Sequence, residues 1–519
     1  MTPYRRKPTL SKTRFCTGLQ CLKRLYWSFY KPEGFVEEIT PQQQAIFDQG
    51  HEVGILAQKR FPGGVLVGED YTRQAAAEKR TQSLMADSNV PAIYEAAFTF
   101  EGIRIRADIL ERLPCNCWRL VEVKSSTGVK DYQLPDLTIQ KHVLEGCGLT
   151  VPSACLLHLN REYVHDGGDY DLDGLFTQED MTDAVTERMS DLPEQLAQQW
   201  EVLGQATPPD ITPGRQCLEP YECEFYDLCN EEPAEDWVGL LPKISETQLS
   251  LLLDSGVKSI VDIPEGFRLT AVQKRARKAH EVGGIVMEPR LQSELDNLDW
   301  PRYFMDFETH MPALPRFAGM RPYDQLPFQW CVYVQESPKA NPSLHEYLAE
   351  NAQDPREDFI TSLLKALGDE GPIITYNAPF ESGRLSDLAG WLPHHAKAIA
   401  AVQDRLWDLL PMMREYVYHP GFKGSFSLKT VLPSLVPEMA YEGMEVAKGS
   451  MAGVVYDRLI SGTLSPNEYA RQRKALLEYC RQDTMGMVKI IESLGGLVPE
   501  GLLTKSRVGV APSAPPARS

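Results

Sequence analysis

The sequence lacks several features that would assign it to common classes of protein. It contains no run of about 18 apolar residues, so we expect no transmembrane helix. Its basic N-terminal stretch is not followed by an apolar core, so we expect no secretory signal. Positive charge is in deficit, with 53 Lys and Arg against 72 Asp and Glu. The resulting net charge of −19 argues against a general nucleic-acid coat protein.

The composition that remains is typical of a soluble, multidomain protein. The chain has 519 residues, of which 43% are hydrophobic and 24% charged, which is enough for two to four domains with cores of their own. Without a signal or a membrane span, the expected location is the cytoplasm. In that compartment the eleven cysteines are expected to be thiols or metal ligands rather than disulfides.

Secondary-structure patterns predict an α/β multidomain fold in three parts and a tail. Residues 1–235 form the first predicted domain, residues 236–295 a small helical linker, residues 296–500 a third domain, and residues 501–519 a disordered tail. Alternation of apolar residues and turn signals define the elements of the first domain. The predicted strands are Ala92–Phe100, Ile103–Arg112, Trp118–Lys124 and Ala154–Leu159, and the predicted helices are Leu134–Glu145 and Thr177–Leu203.

One carboxylate pattern lies on neighbouring predicted strands of the first domain. Asp108 falls in one strand, and Glu122 and Lys124 close the next. Because side chains alternate along a strand, Glu122 and Lys124 share a face. Two carboxylates can hold Mg²⁺ or Mn²⁺, and the lysine can orient an attacking water molecule.

A second carboxylate pattern lies in the third predicted domain. Asp306 and Glu308 share one face of a predicted strand, and Glu381 follows a later strand. Tyr479 and Asp483, at helical spacing i and i+4, share a face of a helix. Such a set of carboxylates suits hard divalent cations.

The cysteines form a widely spaced frame. Cys217, Cys223 and Cys229 follow one another at intervals of six, and Cys21 lies nearly two hundred residues upstream. Four soft thiolates bind zinc or an iron–sulfur cluster, although the CxxC pairs of zinc ribbons are absent. Cys16 is close enough to compete with Cys21, which we prefer because Lys-Arg-Leu-Tyr-Trp follows it.

These motifs resemble known nuclease families. Asp108 with Glu122-x-Lys124 resembles the PD-(D/E)XK nucleases, and the cysteine frame resembles their Cas4-like members, in which it holds a [4Fe–4S] cluster. Residues that match the RecB-like branch are Gly50-His51, where the histidine is a metal ligand, and the catalytic Gln140. The resemblance implies a restriction-endonuclease-like fold for residues 1–235. The family's tyrosine after the glutamine is Leu144 here.

The second pattern resembles the DnaQ-like exonucleases of the RNase H-like fold. Asp306-Phe-Glu308 matches their first motif, and Tyr479-x3-Asp483 their third. Asn377 to Glu381 resembles the second motif, with glutamate where the family has aspartate. The resemblance implies two-metal hydrolysis of a terminal phosphodiester bond, with Tyr479 positioning the water and with Asp306, Glu308, Glu381 and Asp483 as metal ligands. The region from about 300 to 495 is similar to the bacterial DUF2779 family, in which an exonuclease-like domain often follows a Cas4-like half. The predicted linker resembles a helix-hairpin-helix element, with a helical spacer as the alternative.

Together, the residues and resemblances predict a metal-dependent nuclease with two sites, acting in DNA repair, recombination or defence. DNA is the preferred substrate over RNA. Since the sequence has no ATP-binding P-loop, unwinding would need a helicase or another repair protein as partner. The alternative is a nucleic-acid-binding or scaffolding protein with one or both sites inactive. In a third hypothesis, only the first site is active.

Overall fold

The computed structural model describes residues 8–36, 39–114, 116–230 and 234–497. These residues form two compact units of mixed α/β structure. The first unit contains the described residues up to 230 together with Met311–Gln325, and the second contains the remainder. The predicted disordered tail, 501–519, lies outside the described residues.

The first unit is built on one large sheet. Its strands are β1 Leu10–Ser11, β2 Val65–Leu66, β3 Ala92–Phe100, β4 Ile103–Arg112, β5 Trp118–Lys124, β6 Ser153–Leu159 and β7 Phe176–Asp180. Its helices are α1 Lys12–Gln20, α2 Leu22–Tyr30, α3 Pro41–Gln58, α4 Gln74–Ala86, α5 Leu134–Gly146, α6 Leu172–Leu175, α7 Thr182–Arg188, α8 Leu192–Gly204 and α9 Tyr226–Cys229. The strand order is β2-β3-β4-β5-β6-β7, and β1 pairs with β4. The sheet is mixed, because β3, β4 and β5 pair antiparallel whereas β5 and β6 pair parallel.

Both faces of this sheet are covered. Alternating residues of β4 enter different cores, with Leu110 on the side of α1 and α5 and Ile109 on the side of α3. The prediction of one helix over 177–203 is wrong. Phe176–Asp180 is the last strand of the sheet, paired antiparallel with β6, and two separate helices follow. Its residues Thr-Gln-Glu-Asp are polar because they lie on a sheet edge, which hid the strand from an analysis of apolar periodicity.

A strap from later in the chain completes the first unit. Met311–Gln325 leaves the second unit and packs among the first unit's own residues. Ala313 is buried in the core on the α3 side, and its backbone N–H donates to the Gln49 side chain at 3.1 Å. The Tyr323 hydroxyl donates to the backbone oxygen of Ser125 at 2.7 Å. The first unit is therefore discontinuous in sequence.

The second unit contains a five-stranded and a two-stranded sheet. Its strands are β8 Val286–Met287, β9 Arg302–His310, β10 Leu326–Gln335, β11 Ser343–Leu348, β12 Ile373–Thr375, β13 Leu406–Asp408 and β14 Val417–Tyr418. Its helices are α10 Glu246–Asp254, α11 Ala271–Val282, α12 Arg290–Asp296, α13 Arg356–Leu367, α14 Ala378–Trp391, α15 Ala396–Gln403, α16 Leu409–Tyr416, α17 Leu428–Leu435, α18 Gly449–Ile460 and α19 Pro466–Leu497. The larger sheet has the order β11-β10-β9-β12-β13, antiparallel between β11, β10 and β9 and parallel between β9, β12 and β13.

The predicted helical linker is part of the second unit rather than a separate element. Leu252 of α10 and Ala276 of α11 are buried in the same core as Phe304 of β9 and Leu432 of α17. Capping boxes at Ser245 and Thr270 start these two helices. Because a unit of about 60 residues buries little apolar surface alone, sharing a core with the larger sheet stabilises it. None of the helices in the described ranges has both the length and the apolar character that a membrane crossing requires.

Candidate active sites

Three carboxylates lie in one row across the sheet of the first unit. The register that pairs Ile109 with Val121 puts Asp108 level with Glu122, and the Val123 N–H donates to Asp108 Oδ2 at 2.8 Å. On the other side, the pairing of β3 with β4 puts Glu95 level with Asp108. Glu95 has a φ of 56°, a left-handed conformation that a non-glycine residue rarely adopts within a strand. Such strain concentrates at functional sites.

Two lysines neutralise part of this row. Lys12, the first residue of α1, approaches both oxygens of Glu122 at 2.8 and 3.0 Å and Asp108 Oδ1 at 3.6 Å. Lys124 contacts Glu122 Oε1 at 2.8 Å, as their shared face predicts, and Asp136 Oδ2 at 2.5 Å. The cluster therefore combines four carboxylates with two ammonium groups.

Burial and these charges set the pKa values at the first site. Burial, followed by the charge of Glu122, raises the pKa of Asp108 to about 7. Burial also acts to raise the pKa of Glu122, but the ammonium groups of Lys12 and Lys124 outweigh it and hold that pKa well below its usual value. Burial raises the pKa of Glu95. Asp108 and Glu95 thus gain the most from an added cation.

The RecB-like residues of the first site lie at different distances from the row. Gln140, fully buried on α5, donates through Nε2 to Glu122 Oε2 at 2.8 Å, and its Oε1 is buried with no hydrogen-bond partner in the described structure. His51 is exposed on α3, close enough to Glu95 for its charge to act on that carboxyl group. Leu144 is fully buried in the core and contributes nothing to a surface for a strand.

The four predicted cluster ligands meet at the end of α1. Cys21 closes α1, the Cys223 N–H donates to the Cys217 oxygen at 2.8 Å, and Cys229 ends α9. The charge of Cys21 acts on both Cys223 and Cys229. Burial raises the pKa of Cys223 to about 11.

Cys16 lies elsewhere, in the carboxylate cluster of the first site. Its Sγ is 4.0 Å from Asp136 Oδ1, and burial raises its pKa to about 12. Nine cysteines of the described ranges are free, whereas Cys117 is disulfide-bonded, contrary to the expectation of thiols.

The second site begins on the central strand of the larger sheet. Asp306 and Glu308 of β9 face the same way, opposite Cys331 and Gln329 of β10. Asp306, Glu308 and Cys480 offer three ligand atoms within 4.8 Å of one another.

Glu381 reaches the same cluster from the first turn of α14. Asn377, which precedes this helix, has a φ of 88°, and its N–H donates to Asp408 Oδ1 at 2.9 Å. Asp408 also accepts from the Leu410 N–H at 3.0 Å, so it caps α16 and braces the loop before Glu381. Glu381 is 2% exposed, and its Oε2 has no hydrogen-bond partner in the described structure.

Helix α19 supplies Tyr479, Cys480 and Asp483, and the segments before it supply the rest of the cluster. The Tyr441 hydroxyl donates to the carboxylate of Asp483, and Tyr479 lies close enough to act on the same carboxylate. Lys429 donates to the Ala447 oxygen at 2.7 Å, and its ammonium lies 4.8 Å from the centre of the Tyr479 ring. A Cβ on Gly449 would lie 3.7 Å from Glu308 Oε2 and 3.9 Å from the Tyr479 hydroxyl oxygen, so this glycine borders the cluster.

The four carboxyl groups of the second site repel one another. Burial is the largest cause that raises the pKa of each of them: Asp306, Glu308, Glu381 and Asp483. The next cause for Asp306 is the charge of Asp483, and for Glu308 and Glu381 it is the charge of Asp306. The Lys429 ammonium acts on three of them in the opposite direction. Four carboxylates against one ammonium leave a negative site that suits hard divalent cations.

These raised pKa values predict how stability depends on pH when divalent ions are chelated. Below its folded pKa each buried carboxyl group keeps a proton that the unfolded chain loses near pH 4. The free energy of unfolding should therefore fall as pH rises from about 4. We expect a thermal unfolding midpoint several degrees lower at pH 8 than at pH 5, and Mn²⁺ should reduce the difference. A midpoint that rises with pH would contradict the repulsion.

Several residues of these clusters escaped the sequence analysis. At the first site they are Lys12, Glu95 and Asp136, and at the second they are Lys429, Tyr441 and Cys480. Among these residues, Glu95 could have been identified from the sequence, because it interrupts an apolar strand between Ala-Ile-Tyr and Ala-Ala-Phe. The others come together through contacts between segments distant in sequence.

Comparison with known proteins gives matches to parts of the chain. The chain is 23% identical over 227 residues to the uncharacterized protein MG366 homolog of Mycoplasma pneumoniae, which is 40% of this chain and 34% of that protein. It is 21% identical over 234 residues to the uncharacterized protein MG366 of Mycoplasma genitalium, 41% and 35% of the two chains. The matches thus span about a third of the length of these relatives.

A solved structure and a family model also match. The crystal structure of SSO0001 covers 37% of this chain and 77% of its own, with 15% identity and a TM-score of 0.17, which supports no conclusion about the fold. The family model of the domain of unknown function DUF2779 matches residues 303–427. The matched region carries Asp306, Glu308 and Glu381 of the second cluster.

Proposed function

We propose that this protein is a divalent-metal-dependent nuclease with two hydrolytic sites, one in each unit. The observation that carries the proposal is the second cluster: three buried carboxylates, Glu308, Glu381 and Asp483, and the half-buried Asp306, which repel one another around one lysine. A protein gains nothing in stability from such an arrangement unless cations bind there. The buried, unpaired Oε2 of Glu381 fits the same need.

At the second site the chain's own residues have separable roles. Asp306, Glu308, Glu381 and Asp483 would hold Mg²⁺ or Mn²⁺, which when bound activates water and stabilises charge on the phosphate oxygens. The Tyr479 hydroxyl, close to Asp483, can hold a water molecule beside that carboxylate. Lys429 can neutralise a phosphate oxygen. The order of these motifs resembles the RNase H-like exonucleases and supports 3′–5′ removal of nucleotides.

At the first site, Glu95, Asp108 and Glu122 form the acidic row, with His51 beyond it. Their oxygen donors suit Mg²⁺ or Mn²⁺, and the unpaired Oε1 of Gln140 is free to bind water or substrate. The Lys12 ammonium lies between Asp108 and Glu122 and must leave that gap when a cation enters. Lys124 can then donate to the phosphate under attack. The arrangement supports a PD-(D/E)XK-like fold and chemistry.

The cysteine frame supports a bound [4Fe–4S] cluster. The charge of Cys21 acts on Cys223 and Cys229, and the charge of Cys217 acts on Cys229. The four thiols therefore lie close enough together to hold one inorganic core, for which Cys thiolates are the usual ligands. The cluster would join the start of the first unit to its end.

The test is degradation of 5′- and 3′-labelled single-stranded DNA and RNA by anaerobically purified protein with Mn²⁺. We expect wild type to shorten the strands, and the double variant Glu122→Ala/Asp306→Ala to leave them intact. Label position reports polarity, and the DNA and RNA arms report substrate class. A wild type that binds strands and cuts none of them would favour the alternative, a binding or scaffolding protein with inactive sites.

A further inference from the structure

Two tyrosines form an aromatic pair at the edge of the first site. Tyr132 lies in the single turn that leads into α5, and Tyr221 lies in the loop between Cys217 and Cys223. Their ring centroids are 5.4 Å apart, with the ring planes at 71°. Tyr221 is 57% exposed, which leaves much of its ring uncovered.

The pair continues the line of polar residues on α5. Gln140 contacts Glu122, Asp136 contacts Lys124 one turn earlier, and Tyr132 lies one further turn toward the helix start. At 1.5 Å per residue, the first residue of α5, Leu134, is about 9 Å along the helix axis from Gln140, and Tyr132 lies two residues before it. Tyr221 is near enough to Lys124 and Asp136 for their charges to act on it.

Positive charge and a fixed loop accompany the rings. The Lys130 ammonium lies 5.7 Å from the centre of the Tyr132 ring. The Gln20 side chain, adjacent to Cys21, donates to the backbone oxygens of Tyr221 at 2.7 Å and of Gln216 at 2.8 Å. Gln20 therefore fixes the backbone of the Tyr221 loop against the end of α1.

We propose that Tyr132 and Tyr221 form a stacking platform for unpaired bases, so that the first site receives a single-stranded end of DNA or RNA. This inference rests on the proposed nuclease function of the same site. Exposed aromatic rings next to lysines suit single strands, because each nucleotide brings a flat base for a ring and a phosphate for an ammonium group. A paired base, whose faces are stacked within the duplex, offers no face to these rings.

The test is binding of fluorescein-labelled oligothymidine and oligouridine by the full-length protein in chelator, where no strand is hydrolysed. We expect Tyr132→Ala and Tyr221→Ala each to raise Kd by roughly 5- to 100-fold, which is the range that stacking of one base produces. Tyr132→Phe and Tyr221→Phe, which keep the rings, should stay within about twofold of wild type. Leu218→Ala, an exposed residue of the same loop, is the control for loop disturbance.

An abasic strand of equal length separates stacking from charge attraction. The alanine variants should bind it as wild type does. Normal binding of oligothymidine and oligouridine by both alanine variants overturns the platform, as does an equal loss on the abasic strand or a wild type that binds no strand. If wild type cleaves but both alanine variants bind normally, the platform alone fails. If binding follows the expected pattern without cleavage, the nuclease proposal alone fails.

Discussion

Asp306→Asn is expected to abolish activity at the second site and, in chelator, to raise the thermal unfolding midpoint. Asp306 is half-buried, and its charge raises the pKa of both Glu308 and Glu381. Loss of an outer-shell partner of a metal ligand costs about 10- to 100-fold, so loss of a ligand itself should exceed about 100-fold. The amide removes one of four mutually repelling charges, so the protein without divalent ions becomes more stable.

The activity is measured as release of nucleotides from 3′-labelled strands in Mn²⁺, and the stability as thermal unfolding in chelator. A gain of about 1 kcal/mol raises the midpoint by about 2–4 °C in a unit of this size. Asp404→Asn, an exposed carboxylate of the same unit, controls for the change in net charge. A lower midpoint for Asp306→Asn would show that its carboxylate is compensated without a divalent ion.

Glu122→Gln is expected to abolish activity at the first site while destabilising the protein. Glu122 is 1% exposed and contacts the ammonium groups of Lys12 and Lys124, both at 2.8 Å. An amide leaves those two charges partly uncompensated in a buried position. Breaking a buried ion pair from one side costs about 3 kcal/mol or more. Loss of one negative charge therefore lowers stability at the first site, whereas in Asp306→Asn it raises stability at the second site.

Unfolding by urea in chelator measures the second effect. The matched control is Glu111→Gln, on the same sheet, whose pair with Arg119 is more exposed and should contribute about 1 kcal/mol or less. A Glu122→Gln variant as stable as the control would mean that Asp108 and Asp136 alone satisfy both lysines. The strand cleavage that the Glu122→Gln variant loses should be cleavage that the Asp306→Asn variant still performs.

The sequence predicts those parts of the sites that depend on local periodicity. Strand 118–124 has its predicted bounds, and its alternation correctly placed Glu122 and Lys124 on one face. The helical spacing of Tyr479 and Asp483 correctly predicted a shared face. In these cases the geometry follows from residues that are only two or four positions apart in the sequence.

Contacts between distant segments could not be predicted in this way. Lys12 meets Glu122 across 110 positions, and Tyr441 meets Asp483 across 42. Glu95 joins the acidic row through strand register and a left-handed backbone, neither of which a single sequence displays. Tyr221 reaches the first site because the cysteine loop returns to the end of α1.

The strap Met311–Gln325 has a consequence for how this protein could have arisen and for how it can be dissected. A fragment that stops at residue 230 lacks this strap, whose Ala313 is buried in the core of the first unit. The strap also forms hydrogen bonds with Gln49 and Ser125. Simple end-to-end joining of two genes would not produce this interleaving, and one proteolytic cut would not undo it. Recombination that replaced only residues 1–230 or only the rest of the chain would disrupt the core of the first unit, so the two parts are expected to be inherited together. A synthetic peptide of residues 311–325, added to the fragment, should restore part of the lost stability.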